Sequence, residues 1–156
     1  MQKITPFLWF DNQAQEAANF YCELFLNSKI NRVTLYLADM LQPEGSVMTV
    51  EFTLDGQEFT ALNGGPIFEF SPAISFAVPC QTQTEVDHFG DALSDGGAIM
   101  PCGWVTDKFG VTWQIVPIVL LEMLQGEDTA KARNVTQAMM QMEKLDIQKL
   151  EAAYAK

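Results

Sequence analysis

The chain is written twice, and that repeat limits what it can fold into more than any other feature. ITPFLWF reads as a short apolar strand, and DNQAQEAANFYCELF after it has helical spacing through Ala17, Phe20, Tyr21 and Leu24. Further on, AISFAVP and QTQTEVDHFGDALSDGG restate strand and helix. Superposed, Phe7 falls on Phe76, Glu16 on Glu85, Ala17 on Val86, Phe20 on Phe89 and Leu24 on Leu93, always 69 residues apart. A constant separation through a strand and a helix points to duplication. The later parts correspond as well, with Phe59 set against Trp113 at the shorter separation of 54 residues.

Between helix and final strand, the first copy carries INRVTLYLA and SVMTVEFTLDG. In the second run Met48, Val50, Phe52 and Leu54 form one apolar face, with Val47, Thr49, Glu51 and Thr53 on the other. Asp55-Gly56 is a hairpin turn signal leading into QEFTALN. Asp11 or Asn12 is the expected cap of the first helix, and Gly96-Gly97 the stop of the second. AIMPCGWVTDKFGVTWQIVP reads as a strand, a turn and a strand. Two α+β modules, about residues 1–66 and 72–118, are thus expected within one domain of 1–156, their sheets together forming one curved, barrel-like wall. A concave pocket is the expected place for a small-molecule ligand.

The remainder, about 119–156, is a helical tail. Ala132, Val135, Ala138, Met139 and Met142 keep helical spacing, and Leu145, Ile147, Leu150 and Tyr154 continue the stripe after a break near Asp146. Such a stripe suits docking on the sheet or on a second subunit, and the dimer interface or its cover is the expected use.

A net charge of −11 opposes a phosphate backbone, so nucleic acid is not an expected partner. No apolar run approaches the roughly 20 residues that span a bilayer, and the N-terminus lacks the pattern of a secretory signal. No membrane partner is expected, and the cytoplasm is the expected compartment. Cys22, Cys80 and Cys102 form no CxxC pair and read as reduced thiols.

ITPFLWFDNQAQEAANFY, VMTVEFTLDGQEFTALNGGP, CGWVTDKFGVTWQIVP and AMMQMEKLDIQKLEAAY carry a resemblance over most of the chain. Through them the sequence resembles the vicinal oxygen chelate superfamily, the glyoxalase/bleomycin-resistance fold, and within it the PhnB-like branch. The resemblance implies paired βαβββ modules, a cupped, barrel-like mixed sheet and usually a homodimer. Members of the branch have often been labelled 3-demethylubiquinone 3-methyltransferases, yet this chain shows no strand-to-helix GxGxG turn of a Rossmann-type cofactor site.

Enzymes of the superfamily typically hold one divalent metal through His, Gln or Glu on the first and last strands of each module. Carried onto this chain, those slots fall at Pro6, Thr60, Ala73 or Ser75, and Gln114. Only Gln114 among them is a usual ligand type, and one neutral ligand makes a poor transition-metal site. No cofactor is therefore expected; a divalent metal would need residues such as Glu51 or Glu58. His88, the only histidine, sits inside the second helix and reads as a structural or solvent-facing residue.

The candidate ligand-binding residues are Trp9, Asn63, Trp104, Trp113 and Gln114. Flat indoles stack on planar ligands, although core packing also explains a tryptophan. Gln114 either offers a carbonyl and two donors to a ligand or satisfies a neighbouring strand. Asn63 either donates to a ligand or belongs to an Asn-Gly-Gly turn. Trp104 is a candidate pocket rim. Cys102 reads as a small buried residue rather than a nucleophile, and no catalytic residue is assigned. The expected function is binding of a small, partly aromatic molecule without metal chemistry. The alternative is a divalent-metal lyase, dioxygenase or isomerase.

Overall fold

A computed structural model describes residues 3–156. The chain divides into two compact units, the first running to Phe70 and the second covering Ser71–Lys156.

The first unit contains β1 (Phe7–Phe10), α1 (Ala14–Leu24), β2 (Lys29–Leu35), β3 (Val47–Leu54) and β4 (Gln57–Asn63). Its sheet has the order β1-β4-β3-β2, with β1 parallel to β4 and the other pairs antiparallel. The expected apolar face of β3 is real: Val50, Phe52 and Leu54 are buried, and α1 packs over β3 and β4. Ala14, Ala17 and Ala18 let the helix approach closely, and Tyr21 stacks on Phe52, which in turn stacks on Phe59. At the β3–β4 turn Asp55 and Gly56 both have positive φ, as the tight hairpin demands.

Neither Asp11 nor Asn12 caps α1. Gln13 occupies the cap position without a side-chain bond, and the free Ala14 N–H donates to Asn63 Oδ1 at 2.8 Å. A residue 49 positions along the chain supplies what a local side chain was expected to give.

The second unit repeats the plan with β5 (Ser75–Cys80), α2 (Gln83–Ser94), β6 (Ala98–Ile99), β7 (Trp104–Thr106) and β8 (Thr112–Pro117). The order is β5-β8-β7-β6, again with the first strand parallel to the last. The expected strand-turn-strand is therefore three short strands, because a 3-10 turn at Pro101–Gly103 divides it. Thr82 caps α2 by accepting from Glu85 N, and Glu85 accepts in return from Gln81 N. The helix ends at Ser94, just before Gly96 at φ +75°.

The ladders also correct the repeat. Leu8 pairs with Ala61 and Phe10 with Asn63, while Val78 pairs with Ile115 and Cys80 with Pro117. Phe10 thus matches Cys80, one residue beyond the helix separation, and Phe7 matches Ala77 rather than Phe76. Each βαβββ module forms its own four-stranded mixed sheet, so the hydrogen-bonded ladders do not run on as one closed barrel.

Three helices complete the second unit: α3 (Ile118–Gln125), α4 (Thr129–Met140) and α5 (Ile147–Tyr154). Asp128 caps α4 and Asp146 caps α5, which is the break foreseen there. Part of the apolar stripe, expected to dock on the sheet or a second subunit, packs within the unit. Leu120, Met123, Val135, Leu145 and Leu150 form a buried cluster, with Met139, Met142 and Tyr154 against it. The segment before α5 is also hydrogen-bonded: Cys102 N and Gly103 N donate to Met142 O and Glu143 O at 2.8 and 2.7 Å. Gln83 both donates to Leu145 O and accepts from Ile147 N.

Candidate functional site

A sheet covered by a helix on one face leaves the other face to be read strand by strand. In the first unit the register sets Phe7 beside Thr60, Thr60 beside Glu51 and Glu51 beside Arg32. One row of side chains thus crosses all four strands on the face away from α1. Trp9, Leu62, Thr49 and Thr34 form the next row, and Glu58, Thr53 and Lys29 a third. A β-bulge lies between Ile30 and Arg32, so Asn31 and Arg32 together oppose one residue of β3. Asn31 Nδ2 donates to Thr53 Oγ1 at 2.8 Å, and Arg32 Nε donates to Glu51 Oε2. The first and third rows, with Asn31, line a groove of about 690 Å³.

Trp9 stands at one end of this face. Its indole N–H donates to Gly65 O at 2.9 Å, its ring meets Phe68 edge-on, and its six-membered ring covers Gly64. A Cβ at Gly64 would lie 2.3 Å from that ring, so only glycine permits the arrangement. Asn63, from the opposite face, is buried. Its Oδ1 holds the start of α1, its Nδ2 donates to Val47 O, and its own carbonyl accepts from Tyr36 Oη.

In the second unit Trp104 lies directly across from Gln114, and Ala77 flanks Gln114 on the other side. The structure therefore brings two of the candidate residues together on one sheet face. Gln114 Nε2 donates to Ser75 Oγ at 2.8 Å. Thr112, two residues back on the same face, has a buried Oγ1 with no partner among the described residues. Trp113 points the other way, into the core under α2. It is 3% exposed, tilts against Phe76 and donates its indole N–H to Asp107 Oδ2 at 2.9 Å. Asn63 and Trp113 are committed to the fold, which leaves Trp9, Trp104 and Gln114 on the sheet faces.

Asp107 was not picked out by the sequence. It is buried and also accepts from Phe109 N and Val111 N, so one carboxylate shapes the turn and fixes the tryptophan. Arg32 and Phe7 were missed too, since no local pattern announces the bulge that brings Arg32 onto the groove face. His88 is an exposed residue of α2 whose ring meets Phe89. Cys102 is half-buried rather than buried and adopts φ +65°, with its N–H bonded to Met142 O in the tail. Burial pushes the Cys80 thiol up to about 11, with Glu85 adding to the shift, and burial raises Cys22 as well.

The family's metal slots can now be placed by register. The side chains flanking Thr60 and Gln114 on their sheet faces are Phe7 and Ala77 rather than Pro6 and Ala73, while Ser75 meets Gln114 through its Oγ. Taken unit by unit, a phenyl ring with a hydroxyl in the first, and a methyl group, a hydroxyl and one amide in the second, are not the donor sets that usually hold a divalent metal. Among the described residues no group of three or more His, Cys, Asp or Glu side chains is placed to hold a metal ion. No helix among the described residues is long and apolar enough to cross a membrane.

Two βαβββ modules, each with one sheet face left uncovered by its own helix, define a protein of the glyoxalase/bleomycin-resistance class. The profile of the family described as 3-demethylubiquinone-9 3-methyltransferase matches residues 2–116. The PhnB protein from Bacillus cereus is 39% identical, with a TM-score of 0.69 over 74% of this chain and 99% of that one. The chain belongs to this PhnB-like family, the branch of the vicinal oxygen chelate superfamily to which its motifs pointed. Protein PA1353 from Pseudomonas aeruginosa shares the fold at 20% identity, with a TM-score of 0.62 over 75% of this chain and 98% of that one. No curated protein matches the chain.

Proposed function

We propose that this PhnB-like protein binds a small, partly aromatic molecule on a sheet face and carries out no metal chemistry. One observation carries the reading: the groove of about 690 Å³ on the helix-free face of the first sheet, bordered by Phe7 and crossed by polar side chains. Its volume falls within the roughly 300–1,000 Å³ of small-molecule sites, and its mixture of aromatic and polar groups suits a ligand that is flat in one part and polar in another. Trp9 on the same face, and Trp104 beside Gln114 in the second unit, are the further residues we assign to binding. The net charge of −11 supports a partner other than nucleic acid. A homodimer in the cytoplasm completes the proposal, and light scattering tests its oligomeric part: a 17.4 kDa particle at micromolar concentration would refute the dimer.

Three indole N–H signals report ligand binding in a nitrogen-labelled sample, one each for Trp9, Trp104 and Trp113. A screen of flat, polar-ended molecules is expected to move Trp9 or Trp104 and leave Trp113 in place. If no molecule moves either indole or the backbone amides of the groove residues, the binding reading fails. The family's description favours a second reading, methyl transfer; heat evolved on adding S-adenosylmethionine would support it. For the metal-dependent alternative, elemental analysis after incubation with manganese, iron, nickel or zinc is decisive. A stoichiometric metal lost in Gln114→Ala would replace the binding proposal with a chelate enzyme.

A further inference from the structure

The row that crosses the first sheet has opposite characters at its two ends. Phe7 offers an apolar ring that is 63% exposed, and Arg32 offers a guanidinium whose side chain is 71% exposed. Strands lie about 4.8 Å apart, so three steps from β1 to β2 separate the two backbones by about 14 Å. Thr60 and Glu51 fill the interval.

Arg32 is aimed rather than loose. Its Nε is fixed by Glu51, and its position opposite Glu51 is set by the bulge at Asn31, itself tied to Thr53. The two Nη groups at the end of the fork make no hydrogen bond or ion pair to another group among the described residues. A guanidinium held by one edge presents its end as a planar pair of donors, the arrangement that matches a carboxylate. Lys29 and Glu58, in the neighbouring row, add one charge of each sign to the same groove, so selection for an anion falls on the fork of Arg32. Glu51 is already engaged by Arg32, so the donors left open here favour an acceptor.

Resting on the binding reading above, we infer that this groove takes a flat, apolar carboxylic acid, its ring against Phe7 and its carboxylate on the Nη end of Arg32. The chain's net charge of −11 repels an anion at long range, but that field is screened beyond about 8 Å at physiological salt. The acid is held by direct contact. Recognition must therefore depend on the charge of the ligand and on the fork of the arginine.

The probes are biphenyl-4-carboxylate and its neutral counterpart biphenyl-4-carboxamide, titrated into the whole protein and followed by amide and indole NMR shifts. The acid is expected to shift residues of the Phe7–Thr60–Glu51–Arg32 row and the Trp9 indole, and to leave the Trp113 indole unmoved. Charge-assisted hydrogen bonds contribute enough that the carboxamide, and the acid with Arg32→Gln, should each bind about tenfold more weakly or worse. Arg32→Lys keeps the charge without the fork and should fall between, while Phe7→Ala should weaken acid and amide alike. Both positions are exposed, and the unliganded spectrum of each variant verifies its fold. If the carboxamide binds as tightly as the acid and Arg32→Gln changes nothing, the acid inference is overturned while the binding reading survives. Indifference to Phe7→Ala overturns the placement of the ring. If neither probe shifts this face, the inference and the groove's assignment to binding both fall.

Discussion

Asp107 shows how much one side chain can hold. Its carboxylate takes three N–H donors, and Trp113 keeps its place in the core through one of them. Asp107→Ala would leave those donors unpaired, and each buried one costs about 1–3 kcal/mol. The expected loss is about 3 kcal/mol or more in a urea titration, with the Trp113 indole signal displaced. Asp107→Asn should cost less, because it keeps one acceptor but turns an amide group toward a donor. Gly64→Ala makes a separate prediction: its methyl group has no room under Trp9, so the indole must move, at about 1–3 kcal/mol of overpacking. A Trp9 indole signal unchanged by that substitution would contradict the packing described. Alternation along β8 made part of this legible, placing Gln114 opposite in direction to Trp113. It could not say which face was the core, because that depends on where α2 lands.

At the level of elements, the tail helices are held by apolar burial more than by charge. Leu145 is 1% exposed in the cluster with Leu120, Met123, Val135 and Leu150, and Leu145→Ala should cost about 2–5 kcal/mol through lost contact and the cavity left behind. Hydrogen exchange should then quicken in α5 before α1. Lys144, its neighbour, bridges Asp91 and Asp87, and Asp91's hydrogen bond leads in raising its ammonium above the ordinary lysine value. That side chain is 40% exposed, so Lys144→Met should change stability by no more than about 1 kcal/mol. The elements themselves divide by the range of their causes. The Asp55-Gly56 turn and the glycine stop of α2 were readable because a tight turn states its needs within a few residues. The cap of α1, the split between β6 and β7 and the bulge in β2 were not, since each depends on a partner brought by the rest of the unit. For the same reason the sequence offered Trp104 and Gln114 as candidates but not Arg32.

Over the whole molecule, alkali should act through Cys80. Its thiol is pushed up to about 11 from 9.0, chiefly by burial, so the folded protein keeps a proton that the unfolded chain gives up. The sign follows: stability is fully present below pH 9 and declines between pH 9 and about 11, by up to about 2–3 kcal/mol at 1.36 kcal/mol per unit. Denaturant midpoints measured across that window test it, and Cys80→Ala, though less stable at neutral pH, should lose most of the decline, with raised Cys22 leaving a smaller part. At neutral pH a thiol reagent should reach half-buried Cys22 and Cys102 well before buried Cys80.

The bonds from Cys102 and Gly103 to Met142 and Glu143 bear on how the protein is made. Gly103, at φ +81°, lies so close to Leu145 that the two positions are shaped for each other. Their partners are translated about forty residues later, and at about 5–20 residues per second that is a wait of seconds on the ribosome. Through that interval the first module has every strand it pairs with, whereas the second has a sheet whose turn still lacks its acceptors. A nascent chain stalled before residue 142 should therefore present one finished half and one that a chaperone still recognises.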